Sequence, residues 1–554
     1  MKTFDTVAIK QPDKNVFNLS HDVKASYKFD YIYPFLCQPV YPGDTWNCRA
    51  EVFMRAMPLL APVMHNVDLR MYFVFVADRL IWNADKKHDF KIFITGGEDG
   101  LQEAVLPYFS YSQLSAVSNR LCDGSLLDHL GFPTLGPAGN TYALNSDANK
   151  VRISSLPLRA YQFTYNELFR NQNVQNEIEF SYDQGQETTA NLNRLTTLRK
   201  KCWEKDYFTS CLPFAQRGQA VRLPIEARLQ AEDNTVVGQT VIDQVTQLSS
   251  NPSVSNIRSG GETTHSNLTT TSTVPSGPVV FKGETTINAA EISFTGLSIG
   301  TINDFRYCLR LQQWLENNAR CGSRYIEQLL SHFGVVSSDA RLQRPELLGG
   351  GVVPIIFSDV EQNSSTSNAP NSSSYDVLGN LGGKGTLYGK SDGFKKYFEE
   401  HGILLGLLTI VPRTSYQDGI PRHWTLMDKT DWYFPEFAHL GEQAVLNKEV
   451  FYRPLNNISL DPDGVFGYQG RFTELRYIPS TVHGDMRNLL QYWHFGRTFP
   501  LEPSLNSDFV QADTRANCFA VENVQDGYED PFVCQIHLDI KAVRPLPKYA
   551  IPTL

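Results

Sequence analysis

Val533 to Val543, VCQIHLDIKAV, places apolar and polar residues in strict turn. A period of two predicts a strand with one buried face. Gly402 to Val411, GILLGLLTIV, is apolar almost throughout. It spans about half a bilayer, so it reads as a buried strand and not a membrane helix. Arg70 to Trp82, RMYFVFVADRLIW, predicts an apolar strand followed by a bend, and PFLCQPVYPGDTW near the start predicts a turn between extended segments. Helical spacing appears in two places. Leu156 to Phe180 carries Tyr161, Tyr165, Leu168 and Phe169 on one face and predicts a helix. Thr301 to Pro345 predicts a long amphipathic helical stretch. Thr301 and Asp304 form a capping pattern, and Phe305, Cys308, Leu311, Leu315 and Ala319 recur at steps of three and four. Gly322 interrupts the stripe, Ile326, Leu330 and Phe333 resume it, and Gly334 stops it.

Two stretches break the pattern. Residues 226–291 are rich in Ser, Thr, Asn, Gln and Gly and cannot build a core alone. They read as a polar surface insertion between a core of 1–225 and 292–554. Residues 358–371 read as a polar loop before the Gly-rich LGNLGGKGTLYGK. Many short strands, a few helices and long loops predict a mainly β fold: a single jelly-roll β-sandwich or barrel with long loop insertions.

Composition narrows the function. The 554 residues are 41% hydrophobic and 12% aromatic, ample for a packed core. The opening twenty residues hold no continuous apolar run, so the expectation is a soluble protein made in the cytosol. Nine cysteines without a CxxC pair read as reduced, mostly buried thiols. A net charge of −9 argues against a protein that wraps nucleic acid unaided.

Chemical motifs are weak. Gly389-Lys-Ser-Asp-Gly393 matches GxSxG, but a Gly-rich loop stands where the nucleophile elbow needs a strand, so a turn is expected. Gly385 to Ser391 is one residue short of a phosphate-binding loop. The twelve histidines form no HExxH or HxH, and no metal or cofactor is expected. Arg199, Lys200, Lys201, Trp203 and Lys205 form the densest basic-aromatic run and are the candidate DNA-facing residues, against the plainer reading of a solvated face. Lys541, Arg544 and Lys548 are a second, weaker candidate. Three classes compete: a structural subunit, a β-rich carbohydrate-active enzyme with a carboxylate pair, and a single-stranded DNA-binding module. The missing catalytic motif and the acidic balance favour the first.

An ordered set of phrases decides further. FNLSH at 17–21 and PGDT at 42–45 open it, followed by LRAYQ with Arg159 and Tyr161, and then YNE-FR at 165–170. DYFTS at 206–210 precedes LP and QRG. The segment 301–351 carries Arg320, Gly322, Arg324 and Tyr325, then Ser331, His332, Phe333 and Arg341. PEFAHLGEQ holds His439, Gly441, Glu442 and Gln443; FGYQ holds Tyr468; WHF begins with Trp493. In this order the phrases resemble the major capsid protein of the Microviridae, small tailless single-stranded DNA phages, in their gokushovirus-like branch. The resemblance implies a coat protein without enzymatic activity, in which those positions are structural. It implies about sixty copies in a T=1 icosahedral shell around circular single-stranded DNA. It also implies a small basic DNA-binding protein, other virion and assembly proteins, and assembly in the host cytoplasm without membrane insertion. In that branch a large insertion forms threefold protrusions, and 226–291 lies where it is expected, with contact to a host-cell receptor as its candidate role.

Overall fold

Ten strands of the computed structural model join into one curled antiparallel sheet. The structure describes residues 13–549 outside 84–88, 98–100, 117–119, 138–149, 322–323, 362, 364–378, 380, 456–458 and 526–528. Between 220 and 301 it describes 221, 225–227, 230–231, 292–293 and 297–299. The strands are β1 (Asn15–Asn18), β2 (His21–Tyr27), β3 (Tyr33–Val40), β4 (Thr45–Ala56) and β5 (Val67–Ala77), then β6 (Glu346–Glu361), β7 (Leu381–Lys390), β8 (Phe394–Tyr397), β9 (Gly402–Pro412) and β10 (Phe532–Arg544). Pairing runs β2-β10-β4-β8 on one side and β3-β9-β5-β6 on the other. Taking β2 to β6 and β8 to β10 as eight strands, the first sheet holds the first, eighth, third and sixth, and the second holds the second, seventh, fourth and fifth. That interleaving of two Greek keys is the jelly roll. β7 pairs with both β6 and β4 and links the sheets along one side.

The core lies between the sheets. β10 buries Phe532, Cys534, Ile536, Leu538, Ile540 and Ala542, and exposes every alternate residue as far as Lys541. β5 sends Leu69, Met71, Phe73 and Phe75 inward. Phe73 meets Phe394 at 5.2 Å between ring centres, and Phe75 meets Phe398 at 4.9 Å. Such ring pairs add about 0.5–1.5 kcal/mol beyond the area they bury. Gly350 in β6 is required by closeness: a Cβ there would sit 2.3 Å from the Met71 carbonyl oxygen of β5.

A second cluster covers the outer face of the second sheet. Val74, Val76, Leu405 and Leu407 point away from the sandwich and pack under Trp82, Phe109, Tyr161 and Leu192. β9 is therefore buried at all its positions, which accounts for its unbroken apolar run. The cover includes helices α1 (Leu156–Thr164) and α2 (Thr189–Leu195).

Several local expectations change. The predicted helix at 156–180 ends early: α1 passes through a wide turn at Tyr165–Phe169 and stops at Arg170, whose backbone is extended. Asn166 then bonds Ile178 twice, donating to its carbonyl at 2.9 Å and accepting its N–H at 3.0 Å. This side chain pairs like backbone and folds 170–180 back along the helix. The bend after Ala77 is one helical turn, Asp78–Ile81. The long helical stretch is two helices, α3 (Ile302–Cys321) and α4 (Tyr325–Phe333), ended by Gly334 at φ 65°. Gly322 and Thr301 lie outside the described residues. Of the eight cysteines described as free thiols, four are buried and four half-buried.

The chain divides into two compact units: Met1–Gly218 with Leu315–Leu554, and Gln219–Trp314. In the second, Ile225–Ala227 pairs with Leu297–Ile299 and Gln230–Ala231 with Ile292–Ser293. Residues 232–291, most of the polar insertion, lie outside the described residues.

Candidate functional site

The basic run is largely engaged inside the molecule. Arg199 donates to the Gln162 side chain at 2.8 Å and the Arg194 carbonyl at 2.9 Å. Lys200 pairs with Asp513 at 2.7 Å. The Lys201 ammonium donates to the Tyr72 hydroxyl at 2.8 Å, and burial, with Arg70 alongside, pushes it down to about 7. Trp203 is buried, with the Arg497 guanidinium 5.1 Å from its ring centre. Lys201, Trp203 and Lys205 meet around one cavity of about 300 Å³, with Tyr72, Phe169 and Arg324. Of the weaker basic group, Arg544 pairs with Asp44 at 3.1 Å, while Lys541 stands exposed on β10.

Several of the signature residues make contacts inside the molecule. Arg159 is buried and pairs with Glu187 at 2.7 Å, and it also donates to the carbonyls of Ile81 and Asp183. Its neighbour Tyr161 donates to the Ile32 carbonyl at 2.8 Å and accepts the Arg199 N–H at 3.1 Å, which ties α1 to the chain before β3. In DYFTS, one Asp206 oxygen accepts the Phe208 and Thr209 N–H groups and the other accepts the Tyr416 hydroxyl at 2.6 Å. The Tyr207 hydroxyl donates to Glu449, which Arg422 pairs at 2.9 Å. Burial raises the Glu449 carboxyl although Arg422 opposes it. These groups frame a smaller apolar cluster of Phe208, Val445, Phe466 and Phe509.

Around α4 the Glu327 carboxylate accepts the Arg324 N–H at 3.0 Å, and Arg324 donates to the Arg170 carbonyl. His332 bonds Asn318 at 2.7 Å. Tyr325, Ser331, Phe333 and Arg341 stand exposed. Arg320 reaches the buried Glu442 side chain. Gln443 holds Glu474 and the Phe472 N–H. Gly441 turns at φ 98° after the exposed His439, Tyr468 bridges to Leu212 in both directions, and the Trp493 carbonyl accepts the Met64 N–H.

The hydrolase-like motif ends in a turn, although the Gly-rich stretch before it, expected as a loop, is strand β7. Ser391 sits buried between β7 and β8, accepting the Ala50 N–H at 2.9 Å, with Gly393 at φ 65°. No helix follows it, so the serine is not raised over a sheet as a nucleophile must be. Among the described residues, no three His, Cys, Asp or Glu side chains form a metal-holding group, and no helix is long and apolar enough to cross a membrane.

Large apolar side chains lie exposed in patches. Trp424, Met427, Trp432 and Tyr433 project from one loop, and Leu475 and Ile478 from a later one. Arg471, bonded to the Thr430 carbonyl, and the Tyr433–Phe472 ring contact at 5.3 Å hold the two loops together. Exposed aromatic and Met clusters of this kind mark protein–protein contact.

The comparisons agree with this reading. The chain is 31% identical to capsid protein VP1 of Chlamydia phage 1, covering 98% of this chain and 96% of the relative. It is 32% identical to capsid protein VP1 of Bdellovibrio phage phiMH2K, covering 97% and 95%. It is 28% identical to capsid protein VP1 of Spiroplasma virus 4, covering 98% and 95%. The family described as capsid protein (F protein) matches residues 6–554, so the chain belongs to that capsid family, as a structural protein of the virion and not an enzyme.

Proposed function

We propose that the chain is the coat subunit of a T=1 icosahedral shell, built from about sixty copies around circular single-stranded DNA. The observation that carries this is membership of the capsid family over residues 6–554. The jelly roll and the exposed aromatic loops support it, since a shell subunit needs apolar contact area between copies. A small basic DNA-binding protein and further virion proteins complete the particle, with assembly in the host cytoplasm. The acidic net charge supports that division of labour. Lys201, Trp203 and Lys205 stay candidates for DNA contact through their shared cavity, while Arg199 and Lys200 serve the fold. The insertion 226–291 forms the threefold protrusion and contacts the host-cell receptor.

Electron microscopy and light scattering of the chain, expressed with its viral partners, test the reading. Round particles of roughly sixty times 62.5 kDa are expected. Deleting 226–291 is expected to remove surface knobs and leave the shell. A chain that stays monomeric beside viral partners and single-stranded DNA refutes the shell.

A further inference from the structure

The outer face of the first sheet has the composition of a ligand surface. Register fixes its rows. Val533 lies between Ser26 and Arg55; Gln535 lies between Lys24 and Phe53, with Tyr388 beyond. His537 lies between Asp22 and Glu51, with Lys390 beyond. Asp539 pairs with Arg49; Lys541 pairs with Asn47, with Lys395 beyond. Lys384 stands exposed on the same side of β7. Seven cations thus share the face with the carboxylates Asp22, Glu51 and Asp539, and Asp392 sits at its rim, on a chain of net charge −9.

All three carboxylates have partners here: Glu51 holds Lys390 at 2.6 Å, Asp22 bonds His537 at 2.7 Å, and Asp539 accepts the Ser20 hydroxyl at 3.4 Å. Lys24, Arg49, Arg55, Lys384, Lys395 and Lys541 make no ion pair among the described residues. Successive rows lie two residues apart along the strands, about 6.7 Å. Four of the five rows carry a cation without an ion pair among the described residues, and in the middle row Lys390 is held by Glu51, so the positive charges form a ladder interrupted once, at a step comparable with a stretched sugar–phosphate repeat. Phe53 and Tyr388 are 43% and 65% exposed and directly paired across β4 and β7, and the Arg55 guanidinium lies 5.4 Å from the Phe53 ring centre. A twisted antiparallel sheet with exposed rings among Lys and Arg suits single strands, whose bases are free to stack.

We propose that this face binds single-stranded nucleic acid, with the cation ladder on the phosphates and Phe53 and Tyr388 under unpaired bases. The proposal rests on the reading that the shell encloses single-stranded DNA, and it places the main contact on the sheet and not on the run 199–205. A basic partner protein is disfavoured by like charge.

The test is binding of the full chain to a fluorescent oligothymidylate across a salt series, alongside the DNA content of particles assembled with viral partners. The triple variant Lys24→Gln, Arg49→Gln, Lys541→Gln alters only exposed side chains. Its circular dichroism is expected to match the parent. Loss of three phosphate contacts lowers affinity about 100-fold near 0.1 M salt and reduces the logarithmic salt slope by about 2. Phe53→Ala with Tyr388→Ala lowers affinity about tenfold or more. A charge-matched control, Lys91→Gln, Lys150→Gln, Lys429→Gln, stays within about threefold of the parent, since those side chains lie off the face. Equal loss in the control, or no loss in the face variant, overturns the proposal. So does a parent chain that binds no oligonucleotide; DNA-filled particles then leave the packaging reading standing, and empty ones remove both. If the face variant changes self-association while oligonucleotide binding persists, a second copy occupies the face and the proposal falls.

Discussion

β10 and β9 are both central strands of one sandwich, yet they meet the outside differently. β10 buries alternate side chains and leaves Val533, Gln535, His537, Asp539 and Lys541 open. β9 buries both faces, because α1, α2 and the segment around Trp82 cover Leu405 and Leu407. The covered sheet is a three-layer region with its own second core, whereas the bare sheet is a two-layer region with one. The extra layer is fastened by buried polar groups, chiefly Arg159 with Glu187, while the bare side carries charges in water. The difference teaches where substitution has structural consequences and where it is free to serve a ligand.

The comparison breaks most readily at the fastening. Arg159→Ala leaves Glu187 buried without its cation and is expected to cost about 3–5 kcal/mol. Chemical denaturation would read this, and an unchanged midpoint would mean the third layer is not fastened there. Next, Leu405→Ala removes an outward side chain beneath the cover and is expected to cost about 2–5 kcal/mol by the same measurement. A third effect concerns pH. Lys201 titrates near 7 when folded and near about 10.4 when unfolded. Between those values the unfolded chain holds the extra proton, so this group makes stability rise with pH from about 7 to about 10.4. Lys201→Met is expected to flatten that part of the stability–pH curve; an unaltered slope would show that Lys201 keeps its charge. Smallest of all, Gln535→Ala, outward on the bare sheet, is expected to stay within about 0.5 kcal/mol. A loss comparable with that of Leu405→Ala would show that something covers the bare face too.

Much of the fold was legible from periodicity. The alternation at 533–543 and the apolar run at 402–411 correspond to β10 and β9, and Gly334 ends α4 in the left-handed turn its residue type suits. The helix at 156–180 was overextended, because nothing local announces that Asn166 will pair with Ile178. The candidate surface was the least legible. The run Arg199 to Lys205 is dense in sequence, yet its first three cations find partners inside the molecule. Lys24, Arg49, Arg55, Lys384, Lys395 and Lys541 are scattered over more than five hundred positions, and of these only Lys541 belongs to a candidate basic group in the sequence.

Sequence by itself determined the β character, the single-sided or double-sided burial of the central strands, and the family, since these rest on local spacing and on ordered phrases. Tertiary structure alone decided which charges are free and which are neighbours. Strand register brings residues hundreds of positions apart into one row, and the partners that neutralise a cation come from other parts of the chain. Charge density along the chain therefore does not report charge density on the surface.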